Sequence, residues 1–325
     1  MGTTPPSWAR PRDPSLRPII ALGTMNFGKR TSEAEARRII DRAIERGVTL
    51  FDTANAYVDG ESERILGRAL KGRRDRVAIA TKVGFGRVAG KPEGLKPERV
   101  RAAIDDSLGR LATDHVDLYY LHVPDHDTPL AETLGAVGEI LAAGKTRYFG
   151  VSNYASWQIV EIIHHCDSHS IARPVVAQQL YNLLIRQLDI EYFRFARERG
   201  LHTTVYNPLA GGLLTGRYHP GDEVARGSRF DGNRLYLGRY WSPRMIALAA
   251  EYEALAKEIG MTPVELAYAW LAAAPGVDSI LVGPGSVEHL DVALDAVERA
   301  LPSECRARIE TIHRAFLGTE TTYAR

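Results

Sequence analysis

Eight short apolar runs, each followed by an amphipathic stretch, set the first limit on what this 325-residue chain can become. The runs are PIIALG (18–23), TLFDTA (49–54), VAIATKV (77–83), HVDLYYLHV (115–123), TRYFGVSN (146–153), VVAQQLYN (175–182), HTTVYNPL (202–209) and SILVGPG (279–285). They are apolar nearly throughout rather than on alternate positions, the pattern of parallel strands covered by helices. The stretches between them carry helix-end signals. Ser32 and Glu35 stand in capping-box spacing, with Gly47 at the close. Pro97 opens a segment whose stripe is Val100, Ile104, Leu108 and Leu111, and Thr262, Pro263 and Glu265 repeat the N-terminal grammar.

Eight strand–helix units in about 280 residues predict an α/β fold of the (β/α)8 barrel type, the TIM barrel. A doubly wound sheet is the rival. There the first strand should run into a GxGxxG turn, whereas here it runs into GTMNFGKR, and the GxG at Gly84 and Gly86 opens no helix. One barrel domain is expected over 18–325, with 1–17, rich in Pro and Arg, as a flexible lead-in. The roughly thirty residues from Leu209 to the helix near Pro243 exceed an ordinary connection. After a seventh barrel strand such a loop lies on the active face.

Charge removes several function classes. Lys and Arg total 41 against 40 Asp and Glu, so no nucleic-acid partner is expected, since phosphate binding needs clustered cations. No apolar run approaches the ~18 residues that span a bilayer. Cys166 and Cys305 cannot build a disulfide framework, which favours a reducing compartment. The lead-in has no apolar core for a secretory signal, and Asp13 and the prolines oppose a transit peptide, so a cytoplasmic location is expected. HHCDSH (164–169) lacks zinc-type cysteine spacing, so no metal is expected, and Arg194, Arg197 and Arg199 read as a solvated helix face.

Polar residues close most of the strands: Asp52, Lys82, His122, Ser152 with Asn153, Gln178 and Tyr206. In a barrel those ends meet at one mouth, and Tyr57, five residues past Asp52, reaches it. Singly each has a plain explanation: a cap, a surface lysine, a satisfied core histidine, packing. Together they compose a chemistry. A phenol ionises near pH 10, a nearby ammonium lowers that value, and Asp52 would keep Lys82 charged. Tyr57 then becomes a general acid for a carbonyl oxygen, and His122 donates a hydrogen bond to the same oxygen. None of the four is a good nucleophile so placed. The attacking group is therefore borrowed, and hydride from a nicotinamide fits.

The segments FDTANAY, ATKVG, DLYYLHVPDH, GVSNY, AQQLYN and VYNPLAGGLLTGRY resemble the aldo-keto reductases, over nearly the whole chain from about Leu22. LHVPDHDTPLAETL, SNYASW, YNPLAGGLLTG, the RYW of GRYW and a chain ending on arginine are similar to the aflatoxin aldehyde reductase and succinic semialdehyde reductase branch. The resemblance implies a catalytic tetrad of Asp52, Tyr57, Lys82 and His122. It implies carboxamide binding by Ser152, Asn153 and Gln178, and stacking on the nicotinamide by Tyr206. The pyrophosphate would lie along Asn207, Leu209, Gly211, Gly212, Leu213, Gly216 and Arg217, with Arg229 adding a cation. Gly283, Pro284, Gly285, Ser286 and His289 would line the adenosine end. The residues agree for the loop, since NPLAGGLLTG offers backbone N–H groups with little obstruction.

The cofactor implied is NADP(H). The chain departs from the family at His289, where Gln or Arg is common, and at Ala293, where Asn is common, so an adenine contact is missing. In the resembling branch a C-terminal arginine holds an acidic group of the substrate. Arg325 occupies that place, with Arg239 as a second candidate, and a guanidinium fork suits a carboxylate. The expected partner is a small carbonyl compound, carboxyl-bearing aldehydes foremost. Three alternatives stay open: a specialised keto-sugar or biosynthetic reductase, the same chemistry run as an alcohol oxidation, and a cofactor-binding regulatory subunit with little turnover. The branch often forms homodimers, though no seam in the sequence marks one.

Overall fold

The computed structural model describes residues 5–319. Its core is a closed barrel of eight parallel strands: β1 (Ile19–Gly23), β2 (Leu50–Asp52), β3 (Ala78–Val83), β4 (Val116–Leu121), β5 (Thr146–Ser152), β6 (Val176–Leu180), β7 (His202–Tyr206) and β8 (Ser279–Val282). Each pairs with its chain neighbour, and β8 closes on β1 through Ile19–Ser279 to Leu22–Val282. A small antiparallel hairpin, Arg87–Val88 with Lys91–Pro92, projects after β3. All eight apolar runs became strands because a parallel strand hidden on both faces leaves no position for a polar alternation.

The helices are α1 (Glu33–Glu45), α2 (Glu61–Ala69), α3 (Pro97–Leu111), α4 (Leu130–Ala142), α5 (Ser156–Ser168), α6 (Tyr192–Glu198), α7 (Arg234–Tyr240), α8 (Pro243–Glu258), α9 (Pro263–Ala273), α10 (Val287–Glu298) and α11 (Ser303–Leu317). Their apolar stripes pack on the outside of the barrel in one continuous cluster, while a smaller cluster fills its lower interior. The Thr262–Glu265 capping box forms in both directions. At α1 only half of it forms. Ser32 accepts from the Glu35 amide, but the Glu35 carboxylate turns away to accept from Val287 N at 3.1 Å, satisfying an open donor at the start of α10.

The lead-in departs from expectation. Over its described part it is not a free tail but the plug of the barrel floor. Trp8 and Ala9 are buried, and the Trp8 ring stands edge-on to Tyr148 at 5.6 Å. Arg12 N donates to Asp278 Oδ1 at 2.7 Å, and its guanidinium donates to Val277 O and Ala274 O at 2.9 and 3.0 Å. Eight short strands leave the lower barrel open, and an indole closes it. Among the described residues no helix is long and apolar enough to cross a membrane.

Candidate active site

The opposite end of the barrel holds a cavity of about 480 Å³. Asp52, Tyr57, His122, Ser152, Asn153, Gln178 and Tyr206 all line it. Each stands at or just past the end of a strand, which is why polar residues closing apolar runs share one surface. Lys82 is fully buried beneath it.

The ammonium of Lys82 forms an ion pair with Asp52 Oδ1 and donates to Thr53 O at 2.8 Å. Gln178 Nε2 takes the other Asp52 oxygen at 2.9 Å, so both carboxylate oxygens are held. The ring of Tyr57 lies 5.3 Å from Lys82 Nζ, and its centroid is 6.0 Å from that of His122, nearly perpendicular to it. Tyr57 is followed by Val58 and Asp59, both at φ 51°, then Gly60 at φ 81°. This left-handed run, costly for a β-branched residue, turns the chain sharply and leaves the tyrosine facing the mouth. Ser152 Oγ donates to Gln178 O at 2.9 Å, Asn153 Nδ2 to His122 O at 2.9 Å, and Tyr206 OH to Asn153 Oδ1 at 2.6 Å. Asn153 stands at φ 66°, a conformation asparagine tolerates better than most residues.

The electrostatics correct one expectation. Burial, then Asp52, pushes the Tyr57 phenol well above its ordinary value, against a smaller opposing pull from Arg229. Lys82, 5.3 Å from the ring, does not offset that burial, so a lowered phenol is not what the fold builds at rest. It builds a phenol that keeps its proton. Burial holds Lys82 below the usual lysine range against the opposing pull of Asp52. Burial and then Lys82 hold His122 well below the usual histidine range, so its imidazole is neutral at pH 7. Its Nδ1 is buried without a hydrogen-bond partner.

The loop after β7 contributes Asn207, Pro208, Leu209, Gly211 and Gly212 to the lining. Asn207, Ala210, Gly211 and Gly212 all have positive φ, and the amides of Ala210 and Gly212 close the turn on Asn207 O at 3.0 Å and Leu209 O at 2.8 Å. At Gly212 an added Cβ would meet only Tyr218, at 3.7 Å. Asn207 Nδ2 is buried with no acceptor. Arg229 donates to Asn26 Oδ1 at 2.8 Å and lies over the Tyr236 ring, and no carboxylate among the described residues lies within ion-pair distance of it. An orphaned amide donor, an open glycine and an unneutralised cation on one surface suit a phosphate-bearing dinucleotide.

Other expected contacts fall outside the cavity. Leu213 is buried in the core, Gly216 packs on Glu253 and Pro263, and Arg217 is exposed. Gly283 lines the cavity. Gly285, Ser286 and His289 lie beyond it, where Ser286 caps α10 by accepting from His289 N. Arg239 lines the cavity, and no carboxylate among the described residues pairs with it. Arg325 lies outside the described residues. Trp241 and Tyr218 pack on Phe230 at 4.9 and 5.4 Å and do not wall the cavity. Asn26, Phe85, Leu235 and Tyr236 line it without having been anticipated. Asn26 and Phe85 sit in the loops just past β1 and β3, and Leu235 and Tyr236 on α7, where no polar residue closing an apolar run points at them. Phe85 rests on His122, with centroids 5.1 Å apart. Among the described residues no group of three or more His, Cys, Asp or Glu could hold a metal.

The model of the Aldo/keto reductase family matches residues 19–314. The chain is 39% identical over 317 residues to human aflatoxin B1 aldehyde reductase member 2, covering 91% of this chain and 87% of that protein. It is 38% identical over 302 residues to human aldo-keto reductase family 7 member A3, covering 87% and 89%. It is 31% identical over 331 residues to protein tas of Escherichia coli (strain K12), covering 91% and 94%.

Proposed function

The chain belongs to the aldo/keto reductase family, an oxidoreductase fold for carbonyl compounds, and from that premise we propose that it reduces aldehydes or ketones with NADP(H), using Tyr57 as general acid. The observation that carries this is the meeting of a protonated phenol, a neutral imidazole and a buried ammonium–carboxylate pair on one cavity.

Ser152, Asn153, Gln178 and Tyr206 would hold the nicotinamide, the Asn207–Gly212 turn and Arg229 would hold the phosphates, and the reduced ring would supply hydride. The chain's own residues handle the oxygen. Tyr57 holds its proton until negative charge grows on the carbonyl oxygen, then donates it. His122, neutral, offers an N–H to the same oxygen and fixes its direction. As the phenol gives up its proton, the Lys82 ammonium faces the new negative charge in a site with little water to screen it. Asp52 and Gln178 keep that ammonium in place. Phe85 keeps the imidazole from turning.

Two finer features belong to the proposal. NADPH rather than NADH is the cofactor the family resemblance implies, although the pyrophosphate turn is common to both dinucleotides and the 2′-phosphate that separates them would lie at the adenosine end. Arg239, on the cavity wall without a carboxylate partner among the described residues, favours a substrate that carries its own carboxylate. A regulatory subunit without turnover would not need a neutral, orphaned His122 beside Tyr57. The test is NADPH and NADH oxidation across acidic, neutral, sugar and aromatic carbonyls. Turnover with a lower Michaelis constant for NADPH and for acidic aldehydes is expected. Dinucleotide binding without turnover of any carbonyl would overturn the assignment.

A further inference from the structure

We infer that Tyr120 is a positioning residue for Lys82, its ring providing a π face on which the ammonium rests inside the barrel.

The placement begins with register. Lys82 on β3 pairs with Tyr120 on β4, and Tyr120 pairs with Gly150 on β5, so the three lie side by side across neighbouring strands. Lys82 and Tyr120 are both buried, and Nζ lies 5.5 Å from the Tyr120 ring centroid, within cation–π range. Gly150 makes the room. A Cβ there would fall 2.8 Å from Tyr120 Cε1 and 3.0 Å from Cδ1, as well as 2.7 Å from Val176 O. The ring therefore lies where any larger residue at 150 would collide with it.

The ammonium needs that face. It carries three protons and has two oxygen acceptors among the described residues, Asp52 Oδ1 and Thr53 O. Two rings are left for the remaining charge, Tyr57 at 5.3 Å and Tyr120 at 5.5 Å. They differ in kind. Tyr57 is the proposed proton donor and changes charge during the reaction. Tyr120 is sealed in the barrel, and burial drives its ionisation far out of reach, so its ring stays neutral throughout. The groups that face or act on Lys82 are Asp52 of β2, Tyr57 of the turn after β2, Glu63 of α2, Tyr120 of β4, and His122 just past β4. Burial works against its charge, the two carboxylates support it, and the Tyr120 face adds support that costs no further buried charge. The consequence for the reaction rests on the function proposed above, because Lys82 acts on the phenol of Tyr57.

The test exchanges the electrostatics of the ring and keeps its shape. Tyr120→Phe, Tyr120→Leu and pentafluorophenylalanine at position 120 are compared by NMR titration of lysine labelled at Cε, which reads Lys82 directly. The phenylalanine protein should titrate as the parent does. Leucine and the fluorinated ring should lower the Lys82 value by about half to one and a half pH units. Should the leucine protein fail to fold, the two isosteric rings still decide. Identical Lys82 titration in the phenylalanine and pentafluorophenylalanine proteins would overturn the inference and leave Tyr120 as filler. The alkaline limb of kcat/KM should move with the NMR value. If Lys82 shifts and that limb stays fixed, Tyr120 still positions Lys82, and it is the proposed role of Lys82 in carbonyl reduction that fails.

Discussion

The two ends of the barrel hold one buried histidine each, and they differ in a single respect. His202, at the floor, has both ring nitrogens engaged. Nδ1 donates to Arg10 O at 2.7 Å and Nε2 accepts from Ser279 Oγ at 2.6 Å. His122, at the mouth, leaves Nδ1 buried and unpartnered. Burial pushes both below the usual histidine range. A lowered value therefore does not separate function from structure; what differs between these two rings is that the open nitrogen of His122 lies on a cavity, whereas Arg10 and Ser279 close the ring of His202. The floor extends the contrast. There Asp278 accepts from Arg12 N and from Thr203 N, each at 2.7 Å, and Trp8 fills the space. At the mouth, Asn207 Nδ2 has no acceptor, and the surrounding space is open. An unsatisfied buried polar group costs about 1–3 kcal/mol, and the cavity carries two of them, His122 Nδ1 and Asn207 Nδ2, where a ligand could satisfy both.

The contrast can be broken in order of effect. Trp8→Ala should cost about 3–5 kcal/mol in denaturant titration while leaving kcat/KM of the folded enzyme nearly unchanged. A large loss of kcat/KM with stability intact would tie the floor to the mouth. His122→Ala should reverse the pattern, with kcat/KM down about 10²–10³-fold and little change in Tm. Its mirror, His202→Ala, should lose about 1–3 kcal/mol of stability by stranding Ser279 Oγ and Arg10 O, with turnover preserved. If both histidine variants lost turnover equally, satisfaction of hydrogen bonds would not be the dividing line. Arg239→Met should raise the Michaelis constant about tenfold for an acidic aldehyde and hardly at all for a neutral one. Equal change for both aldehydes would remove Arg239 from recognition.

The smallest effect is in pH dependence. The working forms are neutral His122, protonated Tyr57 and protonated Lys82. Lys82 is held below the usual lysine range, so activity is present at lower pH and falls as pH rises through that lowered value. His122 is held well below its ordinary range, so no acid limb is expected near pH 6.5. A rate that halves on acidification from pH 7 to pH 6 would show that His122 titrates in the neutral range.

How far the sequence carries follows from the same contrast. All eight strands were legible, because parallel strands read as unbroken apolar runs. Asp52, Lys82, His122 and Gln178 were legible because a polar group at the end of such a run needs a reason. The resting state of Tyr57 was not legible, since no sequence shows how far burial outweighs a neighbouring ammonium. Asn26, Phe85 and Tyr236 escaped because they reach the cavity from a loop or a short helix, where no periodicity applies. Trp8 escaped because Pro and Arg around it gave the look of a free tail. A lone indole in a polar leader was the one signal that could have placed it on the floor.

The central claim is that Tyr57 gives its proton to the substrate oxygen. Tyr57→Phe keeps the ring, its packing and its distance to His122, and removes only the hydroxyl. Dinucleotide affinity, read by quenching of protein fluorescence, should be unchanged. NADPH oxidation on an aldehyde that the parent enzyme reduces should fall about 10²–10⁴-fold. A phenylalanine enzyme that binds the dinucleotide and keeps the full rate would contradict the account.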